Sequence, residues 1–122
     1  MILTLLILAN ILFAENFKTY KCELYGIGFF PRVQQLTDRQ ILSMGEKITR
    51  AQLSINSIVA KLNINDTHIK AKYIGTDKYG YDLYITSEKT DIIGFKPKKK
   101  YMLIESANGD GTSTQLHYQC NQ

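Results

Sequence analysis

The sequence predicts a mainly β fold: an antiparallel meander forming a small closed or nearly closed barrel, with one short helix near residues 38–44. Three observations predict it. Strict alternation of apolar and polar residues surrounds both cysteines, which lie near opposite ends of the chain. Between them, short alternating runs are separated by clusters of turn-forming residues. Bonding of the two cysteines would set the first and last strands side by side, and a sheet whose ends meet is a barrel.

The chain opens MILTLLILANILFA, in which only Thr4 and Asn10 are polar. Fourteen residues fall short of the roughly 20 that a membrane-spanning helix needs, so the protein is not expected to be an integral membrane protein. Residues 1–14 read instead as a signal peptide cut after Ala14, although the start carries no Lys or Arg. Residues 15–122, about 108 in all, then form a single domain, and the expected location is periplasmic or secreted. Export places Cys22 and Cys120 in an oxidising compartment, where two cysteines in a small domain pair. A loop of about 100 residues closed in this way stabilises by something on the order of 4.7 kcal/mol on the chain-entropy treatment. The chain has 15 Lys and Arg against 11 Asp and Glu, a formal +4, and the signal segment holds no ionisable side chain. The exported part stays basic, and its expected partners are neutral or anionic.

In FKTYKCELY, Tyr20, Cys22 and Leu24 share a face; in TQLHYQC, Leu116, Tyr118 and Cys120 do. The stretch from Gly26 to Gln35 reads as an exposed connection. Thr37 with Gln40 three residues on is a capping-box signature, and Gly45 is a natural stop, which gives the short helix. Ile41, Met44, Ile48, Ala51, Ile55, Ile58 and Leu62 also fit one long helix over 38–62 packed on an antiparallel sheet, the α+β alternative. Against it stand Gly45 in mid-helix and a run rich in β-branched residues, Ser and Asn. Two strands around a turn at Asn56-Ser57 fit better. HIKAKYI and YDLYI, joined by GTDKYG, make a hairpin of 68–74 with 81–86, in which Tyr81, Leu83 and Ile85 share a side. Asp91 to Phe95, the turn KPKKK, YMLIES and the turn ANGDGTS complete the meander.

No catalytic set is legible, so the chain is not expected to be an enzyme, and no metal or cofactor is expected. His68 and His117 fall on polar strand faces with no carboxylate placed beside them in sequence, and two ligands alone make a weak metal site. Lys96, Lys98, Lys99 and Lys100 are the densest charge in the chain and suit an anionic group, although a solvated turn carries the same pattern. Nucleic acid is not an expected partner, because the cluster lacks interleaved aromatic residues. Eight tyrosines are present. Of these, Tyr79 beside Gly80, and Tyr84 on the face opposite Leu83, are the ones expected on an exposed binding surface.

Tyr20-x-Cys22 on the first strand, Tyr118-x-Cys120 on the last and the meander between them resemble the exported bacterial barrels that inhibit C-type lysozyme. That family inserts a Ser-Gly-x-x-Tyr loop into the lysozyme cleft; YIGTDKYGY at 73–81 occupies the equivalent place without the Ser-Gly pair. LTDRQILSMGEKI, a short helix leading through glycine into a strand, is similar to small lipocalin-like exported bacterial proteins. The expected function is non-enzymatic binding of a small or anionic ligand such as a lipid, glycan or cell-wall fragment. The alternative is a protein–protein module such as a lysozyme inhibitor, with residues 75–80 as its contact.

Overall fold

A computed structural model describes residues 16–29, 32–35, 37, 39–40 and 49–122. The signal peptide expected at 1–14 lies outside the described residues, as does most of the short helix expected at 38–44. At its start, Thr37 and Gln40 make the reciprocal bonds of a capping box: Gln40 N–H donates to Thr37 Oγ1 at 3.2 Å, and Thr37 N–H to Gln40 Oε1 at 2.9 Å.

The strands are β1 (Lys18–Phe29), β2 (Arg32–Gln35), β3 (Arg50–Ile55), β4 (Val59–Ile64), β5 (Thr67–Thr76), β6 (Asp82–Thr86), β7 (Asp91–Lys96), β8 (Tyr101–Ala107) and β9 (Ser113–Asn121). They form one antiparallel sheet in the order β2-β1-β3-β4-β5-β6-β7-β8-β9, and β9 pairs again with β1. Eight strands, β1 and β3 to β9, therefore close a barrel. The ninth, β2, shares an edge of β1 with β3: Lys18 to Glu23 pair with β3, and Gly26 to Phe29 pair with β2. The other edge of β1 belongs to β9 from Lys21 to Phe29.

Closure is covalent as well as hydrogen-bonded. Cys22 and Cys120 stand opposite each other in the β1–β9 register and are disulfide-bonded, with Cα atoms 4.0 Å apart. Both are buried, so the bond is part of the core. Around it the interior is filled by Tyr118, Leu53, Leu62, Ile93 and Met102, all essentially inaccessible to solvent. The period of two decides who enters: β3 buries Ala51, Leu53 and Ile55 and turns Arg50, Gln52 and Ser54 outward.

One alternative is excluded and two expectations are corrected. The long helix over 38–62 is absent, because 50–55 and 59–64 are paired strands. Asn56 makes the turn between them, its side-chain oxygen accepting from Ile58 N–H and Val59 N–H at 2.8 Å each. The Gly26–Gln35 stretch is the end of β1 and the whole of β2, not an exposed connection. Its glycines hide the alternation, and the ladder to β9 supplies what local sequence lacks; Gly26 pairs with His117 and Gly28 with Gln115. Finally, Tyr84 faces the interior and Leu83 the outside. Tyr84 pairs with the buried Ile93 and is only 2% exposed. On β6 the inward positions are Asp82, Tyr84 and Thr86 and the outward ones Leu83 and Ile85, so the local alternation points the wrong way; Leu83 packs outside with Tyr81, across Gly94, where an added Cβ would come within 3.3 Å of the Tyr81 ring.

Two bulges adjust the faces. In β1 the register shifts between Leu24 and Gly26, so Tyr25 stands outside beside Tyr101 and His117, with ring centroids 6.0 and 6.1 Å away. In β5 it shifts between Tyr73 and Gly75, whose φ of 139° favours glycine.

Replacing Cys22 and Cys120 together by Ala should lower unfolding stability by about 2–5 kcal/mol in urea denaturation. Leu53→Ala, which leaves a void in the middle of the barrel, should cost about 2–5 kcal/mol in the same assay.

Candidate functional site

The turns 56–58, 77–81 and 97–100 lie at one end of the barrel, where Ile55, Thr76 and Lys96 end their strands. Here the filled interior gives way to an open cavity of about 540 Å³ lined by Lys18, Tyr20, Asn56, Tyr73, Asp82, Tyr84, Phe95 and Pro97, among others. Its aromatic walls are held by contacts between rings: Tyr20 and Phe95 at 4.8 Å between centroids, Tyr73 and Tyr84 edge-on at 5.5 Å.

Local sequence explains the polar side of this mouth. The bulge at Ile74 changes the parity of β5, so Tyr73 and Thr76, three residues apart, share the inner face. Thr76 Oγ1 donates to Asp82 Oδ1 at 2.8 Å, which leaves Tyr73 OH to donate to Thr76 Oγ1, also at 2.8 Å. Tyr84 OH donates to the Asn56 carbonyl at 2.8 Å, joining β6 to the β3–β4 turn. Burial first, then the nearby Asp82 and Tyr73, push the Tyr84 hydroxyl up to about 12. It stays protonated and committed to this bond at ordinary pH. Lys18, inward by its pairing with Ile55, and the Asp82 carboxylate place opposite charges in one small opening.

The residues singled out from sequence meet only partly. Tyr84 lies in the mouth wall, not on an exposed surface. Tyr79 is 65% exposed at the tip of the β5–β6 loop, with Lys78 Nζ 5.2 Å from its ring centroid. Asp77 fixes that loop by accepting from Tyr79 N–H at 2.9 Å and Tyr81 N–H at 3.0 Å. Lys96 turns outward, its Nζ 4.8 Å from the centroid of Tyr81. Lys98, Lys99 and Lys100 are exposed on the next turn, whose Pro97 lines the cavity. That turn is tied to β9: Cys120 N–H donates to Lys100 O at 2.8 Å, and the Gln119 amide to Lys99 O at 3.1 Å.

Lys18, Tyr20, Asn56, Tyr73, Thr76, Asp82 and Phe95 are among the mouth residues that sequence reasoning did not select. The glycine two places after Tyr73 was the available signal of a bulge, but it reads equally as a turn residue.

His68 and His117 sit on β5 and β9, four strands apart in either direction around the ring, so they share no site. His117 is half-buried, and desolvation lowers its pKa. Its Nε2 lies 3.1 Å from Gln115 Oε1, and Gln115 Nε2 donates to Glu105 Oε2 at 2.9 Å. Among the described residues no three His, Cys, Asp or Glu side chains gather in a way that could hold a metal ion, and no helix is long and apolar enough to cross a membrane.

The raised Tyr84 pKa makes stability pH-dependent in a defined direction. In the unfolded chain the hydroxyl loses its proton near 10, whereas in the fold it keeps it to about 12. Its contribution is therefore complete below 10 and falls away as pH rises through about 12. Tyr84→Phe should remove this step from stability measured against pH, and should cost about 0.5–1.5 kcal/mol at neutral pH through the lost bond to Asn56. Comparison of the chain with known protein families, curated proteins and solved structures finds no match.

Proposed function

We propose that this protein is a non-enzymatic, exported binding module that takes a small ligand, with an apolar face and an anionic group, into the mouth of the barrel. The observation that carries the reading is the cavity lined by Tyr20, Tyr73, Tyr84 and Phe95, with Lys18 and Asp82 inside it and the lysine turn at its rim. Rings provide contact area, and a few fixed polar groups orient what they hold. Because the interior is packed with side chains, a ligand rests at the end of the barrel and does not pass through it. Lipids, glycans and cell-wall fragments all offer the required chemistry. Export is supported by the bonded cysteine pair, which is compatible with an extracytoplasmic protein.

A second reading, a protein–protein module such as a lysozyme inhibitor, is favoured by the loop beside the mouth. Tyr79, on that hydrogen-bonded loop, is 65% exposed, and Ile74, at the bulge in β5, is 51% exposed. Undiminished lysis by C-type lysozyme mixed with the pure protein would eliminate that version.

A thermal-shift screen of the oxidised protein against lipids, glycans and cell-wall fragments should find a stabilising ligand, and Tyr73→Ala should weaken its binding about tenfold through loss of ring contact. No stabilisation by any member of the screen would count against the mouth as a binding site.

A further inference from the structure

Away from the mouth, the outer wall made by β1, β3, β4 and β5 is cationic. Register sets its outward side chains in two rows across the four strands. One row runs Lys21, Gln52, Asn63, His68, and the other Thr19, Ser54, Lys61, Lys70. Arg50 adds a charge at one corner opposite Glu23, and Lys72 another at the far corner opposite Val59. Among the described residues, five cations thus share this wall with two carboxylates, Glu23 and Asp66.

Two features go beyond a generally solvated face. Lys61 and Lys70 stand directly opposite each other in the β4–β5 register, a like-charge pairing that opposes strand association. A fold that only needed a soluble wall would be better served by a carboxylate at either position. Second, the wall is hollowed. Open cavities of about 650 and 330 Å³ adjoin at Asn63 and His68, which line both, and the two together are the trough. Crossing four strands spans roughly 14 Å, and the two rows lie roughly 7 Å apart along the strands. Those dimensions suit a chain lying across the sheet better than a single small ion.

The side chains select the kind of chain. Neither row contains an apolar residue to enter a bilayer. Neither contains a Phe, Tyr or Trp ring on which a run of bases could stack, and His68 is the single ring in either row; Phe17 beside them lies under Lys61, whose Nζ is 4.6 Å from its centroid. Gln52, Asn63, Thr19 and Ser54 present amides and hydroxyls between the cations, the groups that bond sugar hydroxyls. We propose that this trough binds an extended anionic glycan, with carboxylate or sulfate groups meeting Lys21, Arg50, Lys61 and Lys70. The site is on a different part of the barrel from the mouth and does not depend on what the mouth holds.

The test is titration calorimetry of the full oxidised protein with polygalacturonate and with heparin, which separate carboxylate from sulfate, and with neutral dextran as control. Binding to at least one polyanion, none to dextran, and weakening with added salt are expected. Lys61→Gln with Lys70→Gln should lower affinity at least about tenfold, and Lys21→Gln with Arg50→Gln should do the same from the other end of the trough. Titrating the same two polymers into a variant with Lys98, Lys99 and Lys100 changed together to Gln, or into Tyr73→Ala, reports binding at the mouth instead; polymer held in the trough loses no more than about twofold in either. Thermal unfolding of the Lys61/Lys70 variant should be no lower than that of the parent, since a repulsive pair has been removed. The proposal is overturned if neither polyanion binds, if both trough variants bind like the parent, if the lysine-turn variant loses as much affinity as they do, or if single-stranded DNA or anionic phosphatidylglycerol vesicles bind more tightly than either glycan.

Discussion

The seam between β1 and β9 is the constraint on which the rest of this structure depends. Every other neighbouring pair of barrel strands is consecutive in the chain or, for β1 and β3, separated only by β2 and the segment before Arg50. The β1–β9 pair alone joins residues about a hundred positions apart, a contact whose loop-closure entropy is the largest in the fold. The Cys22–Cys120 bond meets that cost in the unfolded chain, before any strand has paired. Closure then removes the two edges that an open sheet of this order would expose between β1 and β9. It also encloses a core that the lining side chains fill up to the mouth.

A filled core has functional consequences, because it moves all possible recognition to the ends and the outside of the ring. At one end the packing stops short of the turns, leaving aromatic walls with a lysine and a carboxylate between them. On one side, the outward positions of four strands are polar and mostly cationic. Across β1 from that wall the outer surface differs again, with Tyr25, Tyr81 and Tyr101 clustered near the bulge in β1; burial raises the pKa of both Tyr25 and Tyr81. A chain of modest length thus presents three chemically distinct surfaces, all set by one alternation and two interruptions of it.

How much of this was legible in the sequence depends on where each residue's information resides. The cysteine strands could be read directly, because Tyr20, Cys22 and Leu24, and Leu116, Tyr118 and Cys120, alternate with polar neighbours on strands having one dry face. β3 and β4 could be read only as one of two options, since Ile55, Ile58 and Leu62 satisfy both periods; the Asx turn at Asn56 decides between them. Tyr84 was misplaced because it stands between Asp82 and Thr86 on the more polar face of β6, while Leu83 and Ile85 make the other face; its orientation is set by Ile93 across the ladder, not by its neighbours in sequence. The end of β1 was missed for a related reason: Gly26 and Gly28 carry no side chain to show a face. For the candidate site, exposure of Tyr79 and the lysines was readable from composition. The meeting of Tyr73, Thr76 and Asp82 was not, since it needs a one-residue bulge that no local pattern requires.

The turn from Lys96 to Lys100 is usually the kind of segment that moves. In this fold its last two carbonyls are held by the amide of Gln119 and the backbone of Cys120, the residue that also carries the covalent link. Only the lysine stems remain free to rotate, while the backbone beneath them shares the rigidity of the strand it rests on. A negatively charged guest arriving at that rim would find its counter-charges already gathered, and little chain entropy would be surrendered in meeting them.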